Sequence, residues 1–294
     1  MLKYFIHPVD RRVGASDHAE ATGLSPLVRP TALGLPRLQE FGSDLKVVSR
    51  VRQVFALGRP FAATLVYVAA ASTGRWLLAV IAMVVLYISA IGTLHDLMHR
   101  NLGLTARAND LWLFALGVLL GESGHSLQAT HREHHRKSSL ADDPEGYVDG
   151  LRPWRVILEG PLYRHNLACW AWAHRPAIRR WIAAEATLSL AVISAAVSFG
   201  LQVPVFGAFV AATVLFSWVF PLVSVTWLHG DFGAPGLFGT KTIRGMLLPK
   251  LTLGLTYHLE HHLYPSVPTH QLAALSRRIE PELLAIGAEP DYLF

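Results

Sequence analysis

Eight histidines in this chain are grouped in three short clusters whose spacing suits metal binding. The clusters read H-D-L-M-H, H-R-E-H-H and H-L-E-H-H. Spacings of three and four residues place side chains on one face of a helix, so each cluster can direct its imidazoles at one point. Together the clusters offer more nitrogen ligands than one mononuclear site needs, which predicts two metal ions. The histidines are His95 and His99, then His131, His134 and His135, and then His258, His261 and His262.

Three carboxylates lie inside the clusters without sharing the direction of the histidines. Glu133 and Glu260 each follow the first histidine of their cluster by two positions, about 200° around a helix. Asp96 lies about 60° from His99 when both residues are projected down the axis of a helix. We predict that these carboxylates accept hydrogen bonds from imidazole N–H groups of neighbouring clusters and are not themselves ligands. An ordinary surface carboxylate is the alternative for each of the three.

The cysteine content narrows the choice of metal. The chain has one cysteine, Cys169, which excludes an intramolecular disulfide and a cysteine-based zinc cluster. Neutral imidazole suits iron, copper, nickel and zinc, and two zinc ions remain an alternative. A histidine-rich diiron centre that activates O2 explains the number of histidines better than zinc does. Such a centre would also suit a protein in a membrane, because inert C–H bonds occur in lipid tails.

The composition predicts a membrane protein. Apolar residues make up 52% of the chain and charged residues 16%, with a mean hydropathy of +0.34, whereas soluble domains carry about a quarter charged residues. Long apolar stretches predict four transmembrane helices in two hairpins, and the stretches 111–120 and 151–174 predict interfacial helices. The expected fold class is therefore an all-α integral membrane protein with a cytosolic, His-rich helical cap. The predicted spans are 54–72, 76–94, 182–199 and 203–228.

Proline and glycine divide the chain further. They interrupt residues 1–53, which we interpret as a loosely structured cytosolic arm with one amphipathic helix near 41–55, and the membrane domain then covers 54–294. No apolar core follows a basic start, so we expect no cleavable signal peptide. In the last predicted span, Pro221 should kink the helix, and nearby serine hydroxyls are available to the freed backbone groups.

The distribution of charge predicts the orientation in the membrane. Of the 26 Lys and Arg residues, only Arg75 lies in a predicted hairpin turn. By the positive-inside rule the opposite face is cytoplasmic, so both termini and all three clusters are predicted to be cytoplasmic. This topology and attraction to anionic lipid explain the net charge of +5, and we expect no nucleic-acid partner.

The three clusters resemble the histidine boxes of the membrane fatty acid desaturase and hydroxylase superfamily, whose pattern is H-x(3,4)-H, H-x(2,3)-H-H and H-x(2,3)-H-H. The resemblance extends from His95 to Pro268 and includes Y-H-L-E-H-H-L-Y-P-S-V-P from Tyr257 and D-D-P-E from Asp142. It implies a nonheme diiron centre, O2 as co-substrate and two electrons from an external donor. It also implies that all eight box histidines are iron ligands.

Other residues near the boxes are candidates for supporting roles. His229 follows the last predicted span, and its position resembles that of an additional ligand in some members of the superfamily. A histidine satisfied at a helix end is the alternative for it. His125 lies six residues before the second box, where a structural or channel role is favoured over ligation. Asp142 and Asp143 are expected to cap a helix or to orient a box histidine.

The predicted function is that of an O2-dependent diiron oxidoreductase, specifically a fatty acid (acyl lipid) desaturase acting on a lipid or other long apolar substrate. The same ligands serve hydroxylation, so a carotenoid hydroxylase or ketolase, or an alkyl hydroxylase, is the alternative. A metal transporter or sensor is disfavoured because the spans hold almost no ionisable residues apart from Glu185 and Arg59. The chain has no H-P-G-G cytochrome b5 signature and no room for a reductase, so we expect a separate donor of the ferredoxin, rubredoxin or cytochrome b5 type.

Overall fold

Most of the chain that the structure describes is helical. The structure, a computed structural model, describes residues 30–138, 140, 142–148, 151–229 and 239–293. The α-helices are α1 (Arg50–Ser72), α2 (Trp76–Met98), α3 (Ala106–Leu119), α4 (Gly124–Lys137), α5 (Pro153–His174), α6 (Arg179–Phe199), α7 (Pro204–Pro221), α8 (Leu248–Leu251), α9 (His258–Leu263) and α10 (Leu272–Ala285). Short 3-10 helices cover Pro30–Leu33, Leu38–Phe41, Ser43–Lys46, Gly146–Val148, Pro176–Ile178 and Thr269–Gln271, and the strands β1 (Ile243–Arg244) and β2 (Asp291–Tyr292) pair in parallel.

Four helices are long and apolar enough to cross a membrane, which confirms the predicted all-α membrane fold. They are α1, α2, the stretch Pro176–Phe199 that contains α6, and the stretch Pro204–Thr226 that contains α7. Helices α1 and α2 pack along each other, and α6 contacts α7. Helix α2 continues beyond residue 94, where the predicted second span ends, and reaches Met98 through buried polar residues.

The prediction of one amphipathic helix near 41–55 is wrong, because the helical structure in this range is interrupted. Gly42 has a φ of 120°, a backbone conformation that interrupts a helix and that glycine adopts without steric cost. A continuous helix begins only at Arg50, where the Ser49 hydroxyl accepts a hydrogen bond from a backbone N–H at 3.3 Å. Residues 1–29 of the predicted arm lie outside the described residues.

The described part of the arm packs onto α9 and α10, which belong to the predicted His-rich cap. Leu35 and Leu45 are 3% and 0% exposed in an apolar core that they share with α9 and α10. The core residues from those two helices include Leu259, Leu275 and Ile279. The segment 30–46 therefore supports the helix that carries the third box.

A threonine hydroxyl allows a proline to lie within the first span. Pro60 has no N–H, so the carbonyl of Ala56 lacks its helical donor. The Thr93 hydroxyl of α2 lies 2.9 Å from that carbonyl oxygen, and it also lies 2.8 Å from the carbonyl oxygen of Ser89, so its one proton is shared. Lipid offers no hydrogen-bond donor to the Ala56 carbonyl, so the Thr93 hydroxyl takes the place of the missing helical N–H. The same contact links α1 to α2.

Pro221 changes the type of helix at the end of the last span. Helix α7 ends at this proline, and the chain continues as a π-helical turn over Leu222–Thr226. The Ser224 hydroxyl donates to the Phe220 carbonyl oxygen at 2.8 Å. The wider turn leads directly to His229, which lies in the cap.

Thr93→Val should lower the free energy of unfolding by about 1–2 kcal/mol, because it leaves the Ala56 carbonyl without a donor. The measurement is thermal unfolding in detergent micelles. Thr64→Val is the matched control, because the Thr64 hydroxyl lies 2.9 Å from the Pro60 carbonyl, which already has its helical N–H donor. Equal effects of the two substitutions would contradict this account of Pro60.

Candidate metal centre

The histidines of the three boxes converge in the cap and form two groups that can each hold a metal ion. In each group, one nitrogen per residue lies within 4.8 Å of the others. Both groups combine side chains from separate parts of the chain. The first consists of His95, His99, His131 and His261, and the second of His134, His229, His258 and His262.

His135 lies between the two groups. Its Nε2 is 3.2 Å from Nε2 of His131 and 2.8 Å from Nε2 of His261, both in the first group. Its ring centroid is also 4.3 Å from that of His262, in the second group. His135 can therefore serve as a fifth donor to the first group, and all eight box histidines lie in one continuous cluster.

The expectation that each box aims at one point is wrong for the second and third boxes. His131 and His134 share helix α4 but belong to different groups, as do His261 and His262 on α9. On a helix, residues three apart differ by about 60° in direction, and adjacent residues differ by about 100°. These offsets are large enough for one helix to serve two neighbouring sites.

Burial keeps these imidazoles in the form that binds metal. It lowers the pKa of His258, His261 and His262 well below the usual 6.5, and repulsion from neighbouring histidines lowers it further. In addition, Nε2 of His95 and Nε2 of His99 are buried without a hydrogen-bond partner among the described residues. Buried nitrogens that have no hydrogen-bond partner fit a transition-metal ion, because the metal can bind their lone pairs.

Two carboxylates after the second box orient its histidines. Asp143 Oδ2 is 2.6 Å from Nδ1 of His134, and Glu145 Oε2 is 3.1 Å from Nδ1 of His131. Burial opposes ionisation of Glu145, but attraction to His131 and a hydrogen bond with it leave the pKa of Glu145 below its usual value. In both pairs a carboxylate at Nδ1 fixes the tautomer and leaves Nε2 free for a metal.

The carboxylates inside the first and third boxes have a different role from the predicted one. Asp96 accepts hydrogen bonds from the backbone N–H and the hydroxyl of Thr269, both at 2.8 Å. Glu260 is fully buried and accepts from the hydroxyls of Ser276, at 2.5 Å, and Thr242. These contacts fasten the box helices to the surrounding backbone of the cap instead of meeting an imidazole.

Glu133 likewise contacts basic side chains, at 2.6 Å from Arg136 and 2.8 Å from Arg175. The second of these pairs links α4 to the end of α5. The orienting role that we predicted for the box carboxylates falls instead to Asp143, for which helix capping and orientation of a box histidine were the predicted alternatives, and to Glu145, which the sequence analysis did not single out. The D-D-P-E run was the signal that could have identified Glu145.

His125 lies outside both groups. Its Nδ1 is 2.7 Å from Oε1 of Glu185, and its ring stacks on Trp181 with a centroid distance of 4.6 Å. The favoured structural role for His125 therefore agrees with its surroundings, whereas His229 lies among the box histidines with its Nε2 2.9 Å from Nε2 of His258.

Comparison with known proteins adds two findings. A family model described as fatty acid desaturase matches residues 74–292, a range that includes both histidine groups. The Delta(8)-fatty-acid desaturase of Euglena gracilis is 35% identical over 78 residues, which is 25% of this chain and 19% of that protein. The chain therefore matches only a small part of the length of this relative.

Asp143→Asn should weaken metal binding by about 10- to 100-fold. In the native side chain, Oδ2 meets His134 and Oδ1 accepts the Glu145 backbone N–H at 2.9 Å, and an amide has one oxygen for these two donors. The measurement is the amount of metal retained against graded chelator. Asp142→Asn is the control, because that side chain is 63% exposed and pairs with Lys137. Equal retention in both variants would exclude an orienting role for Asp143.

Proposed function

The chain belongs to the fatty acid desaturase family, and on that basis we propose that it is an O2-dependent diiron enzyme that introduces a C=C bond into a lipid acyl chain. The observation that carries the proposal is the pair of adjacent histidine groups at one end of four apolar helices. A metal pair that activates O2 next to a membrane matches a substrate whose reactive C–H bonds lie in lipid tails.

We assign one iron ion to each histidine group. His135 completes the first group as a fifth ligand, and His229 is a ligand of the second. The fifth donor at the first group, His135, exceeds the four ligands that zinc accepts and supports iron there, and the neutral imidazoles of both groups suit iron as well. When bound, the two iron ions would supply the O2 activation that removal of hydrogen from an unactivated methylene requires.

The chain's own residues prepare and shield this centre. Asp143 and Glu145 hold two box imidazoles with Nε2 directed at the groups. His134 and His261 are 2% and 1% exposed, so the cap shields these two side chains from bulk water. The box histidines that are partly exposed are His99, His135 and His262. We expect a long hydrocarbon chain to approach the histidine groups from the bilayer, because the four spans are apolar.

The enzyme needs a source of two electrons, and we propose a separate protein of the ferredoxin, rubredoxin or cytochrome b5 type. We further propose that the cap and both termini face the cytoplasm. The near absence of basic residues from the hairpin turns supports this orientation. The basic residues concentrated on the cap side would attract an acidic redox partner.

Expression of the chain in a host that makes both acyl lipids and carotenoids should yield new double bonds in acyl chains. His134→Ala and His261→Ala should abolish the product while leaving membrane insertion intact, because each removes a nitrogen from a different group. The measurement is lipid and pigment profiling by mass spectrometry. New oxygen atoms in the pigments, with unchanged acyl chains, would replace the proposal with a carotenoid hydroxylase or ketolase.

His229→Ala should reduce bound iron from about two ions per chain to about one, because it removes a donor from the second group only. Elemental analysis of the purified protein measures this ratio. His174→Ala is the control, since that histidine is exposed and its Nδ1 lies by the Trp170 carbonyl. Unchanged iron in the His229 variant would mean that His229 is not a ligand and is only a hydrogen-bonded histidine at a helix end.

A further inference from the structure

Helix α4 supplies ligand candidates to both metal groups, so its position decides whether both can form. His131 belongs to the first group and His134 to the second. The helix begins at Gly124, directly after the turn residues Glu122 and Ser123. A rotation or a shift at this end is carried along the helix to the histidines, which begin two turns later.

A buried ion pair holds the turn from one side. Glu122 Oε2 lies 2.6 Å from Nη1 of Arg164 on α5, and their side chains are only 4% and 10% exposed. The guanidinium also lies 4.2 Å above the ring of Phe220 on α7, with Nη2 3.3 Å from the hydroxyl of Tyr87 on α2. Three helices therefore meet at one guanidinium, which is bonded to the turn.

A second carboxylate holds the same turn through α6. Glu185 is fully buried, and its Oε2 accepts a hydrogen bond from the Ser123 hydroxyl at 2.5 Å. Its Oε1 is 2.7 Å from Nδ1 of His125, whose ring is stacked on Trp181. Ser123 is also the N-cap of α4, because its hydroxyl oxygen accepts the Ser126 backbone N–H at 3.1 Å.

The backbone adds a third constraint at the start of the helix. A Cβ on Gly124 would lie 2.2 Å from the carbonyl oxygen of Leu113, so α4 and α3 touch here through their main chains. Apolar contacts between helices are non-directional, whereas short, charge-assisted hydrogen bonds fix distance and angle. Buried charges are costly, and their best-attested use is to specify one arrangement of packed helices.

We propose that the Glu122–Arg164 and Glu185–His125 pairs are positioning devices that set the depth and rotation of α4, so that its histidines reach their separate metal groups. Neither carboxylate contacts a histidine of either group in the described residues, and both act through the helix end. The expected effect on metal affinity rests on the proposed function, whereas the contacts of the two pairs are present without bound metal.

The test compares Glu122→Gln and Glu185→Gln with wild type in two measurements. In iron-loaded protein, both variants should lose at least about 10-fold in metal affinity, the loss typical of disturbed support around ligands. In metal-free protein, hydrogen exchange at the backbone amides of 124–131 should be at least about 10-fold faster, while exchange in α1 and α2 stays unchanged.

Asp44→Asn is the matched control, because Asp44 also pairs with a guanidinium, that of Arg278 at 2.7 Å, but with side chains 58% and 38% exposed. It should change neither measurement. Arg164→Lys is a milder variant in case the glutamine variants fail to fold. It keeps the charge opposite Glu122 but loses the planar fork that reaches Tyr87 as well, and it should give an intermediate loss of affinity.

Retention of metal affinity and of α4 exchange within about twofold of wild type would overturn the proposal. So would exchange that rises equally in α1, α2 and α4, since that result describes general destabilisation. Restoration of metal affinity by Glu185→Asp, relative to Glu185→Gln, would support it. If wild type binds no iron, the proposed function fails, whereas the exchange experiment on metal-free protein still tests the role of the two pairs.

Discussion

Nine imidazoles, six of them buried and three partly buried, face one another across the two groups, and the rest of the fold holds them there. Nε2 atoms approach as closely as 2.8 Å between His135 and His261 and 2.9 Å between His229 and His258. Lone pairs at such distances repel each other in a low-dielectric interior unless a proton or a cation lies between them. Burial disfavours a second proton on any ring, and each neutral imidazole has only one N–H to direct at a neighbour, whereas one metal ion can bind the lone pairs of several Nε2 atoms at once. The close packing of the imidazoles therefore requires either a bound metal ion or a surrounding fold that offsets the repulsion between their nitrogens.

The fold opposes that repulsion with polar anchors on every box. Asp96 joins the first box to Thr269, Glu260 joins the third box to α10, and the turn before α4 is held by two carboxylate pairs. The four spans then give these anchors a rigid base. Their own backbone is satisfied by unusual means where proline interrupts it, such as the Thr93 hydroxyl at the Ala56 carbonyl.

Much of this arrangement could be predicted from the sequence, because its signals are local. Box spacing and apolar length identified the histidine clusters and the four spans, and both depend on residues that are near one another in the chain. The division of the second and third boxes between two groups could not be predicted, since it depends on where α4 and α9 meet. Asp96 and Thr269 are 173 positions apart, and no local pattern connects them. The helical projection directed Glu133 and Glu260 away from the first histidine of their boxes, but it could not identify the partners that the structure gives them.

We propose that one chain holds two iron ions, one in each histidine group. Mössbauer spectroscopy of purified protein loaded with ⁵⁷Fe tests it most directly, combined with elemental analysis of the same sample. We expect about two iron ions per chain and signals of equal area from high-spin iron in nitrogen-rich surroundings. A single iron per chain, or a site that retains only zinc under iron-replete conditions, would contradict the assignment of one iron ion to each group.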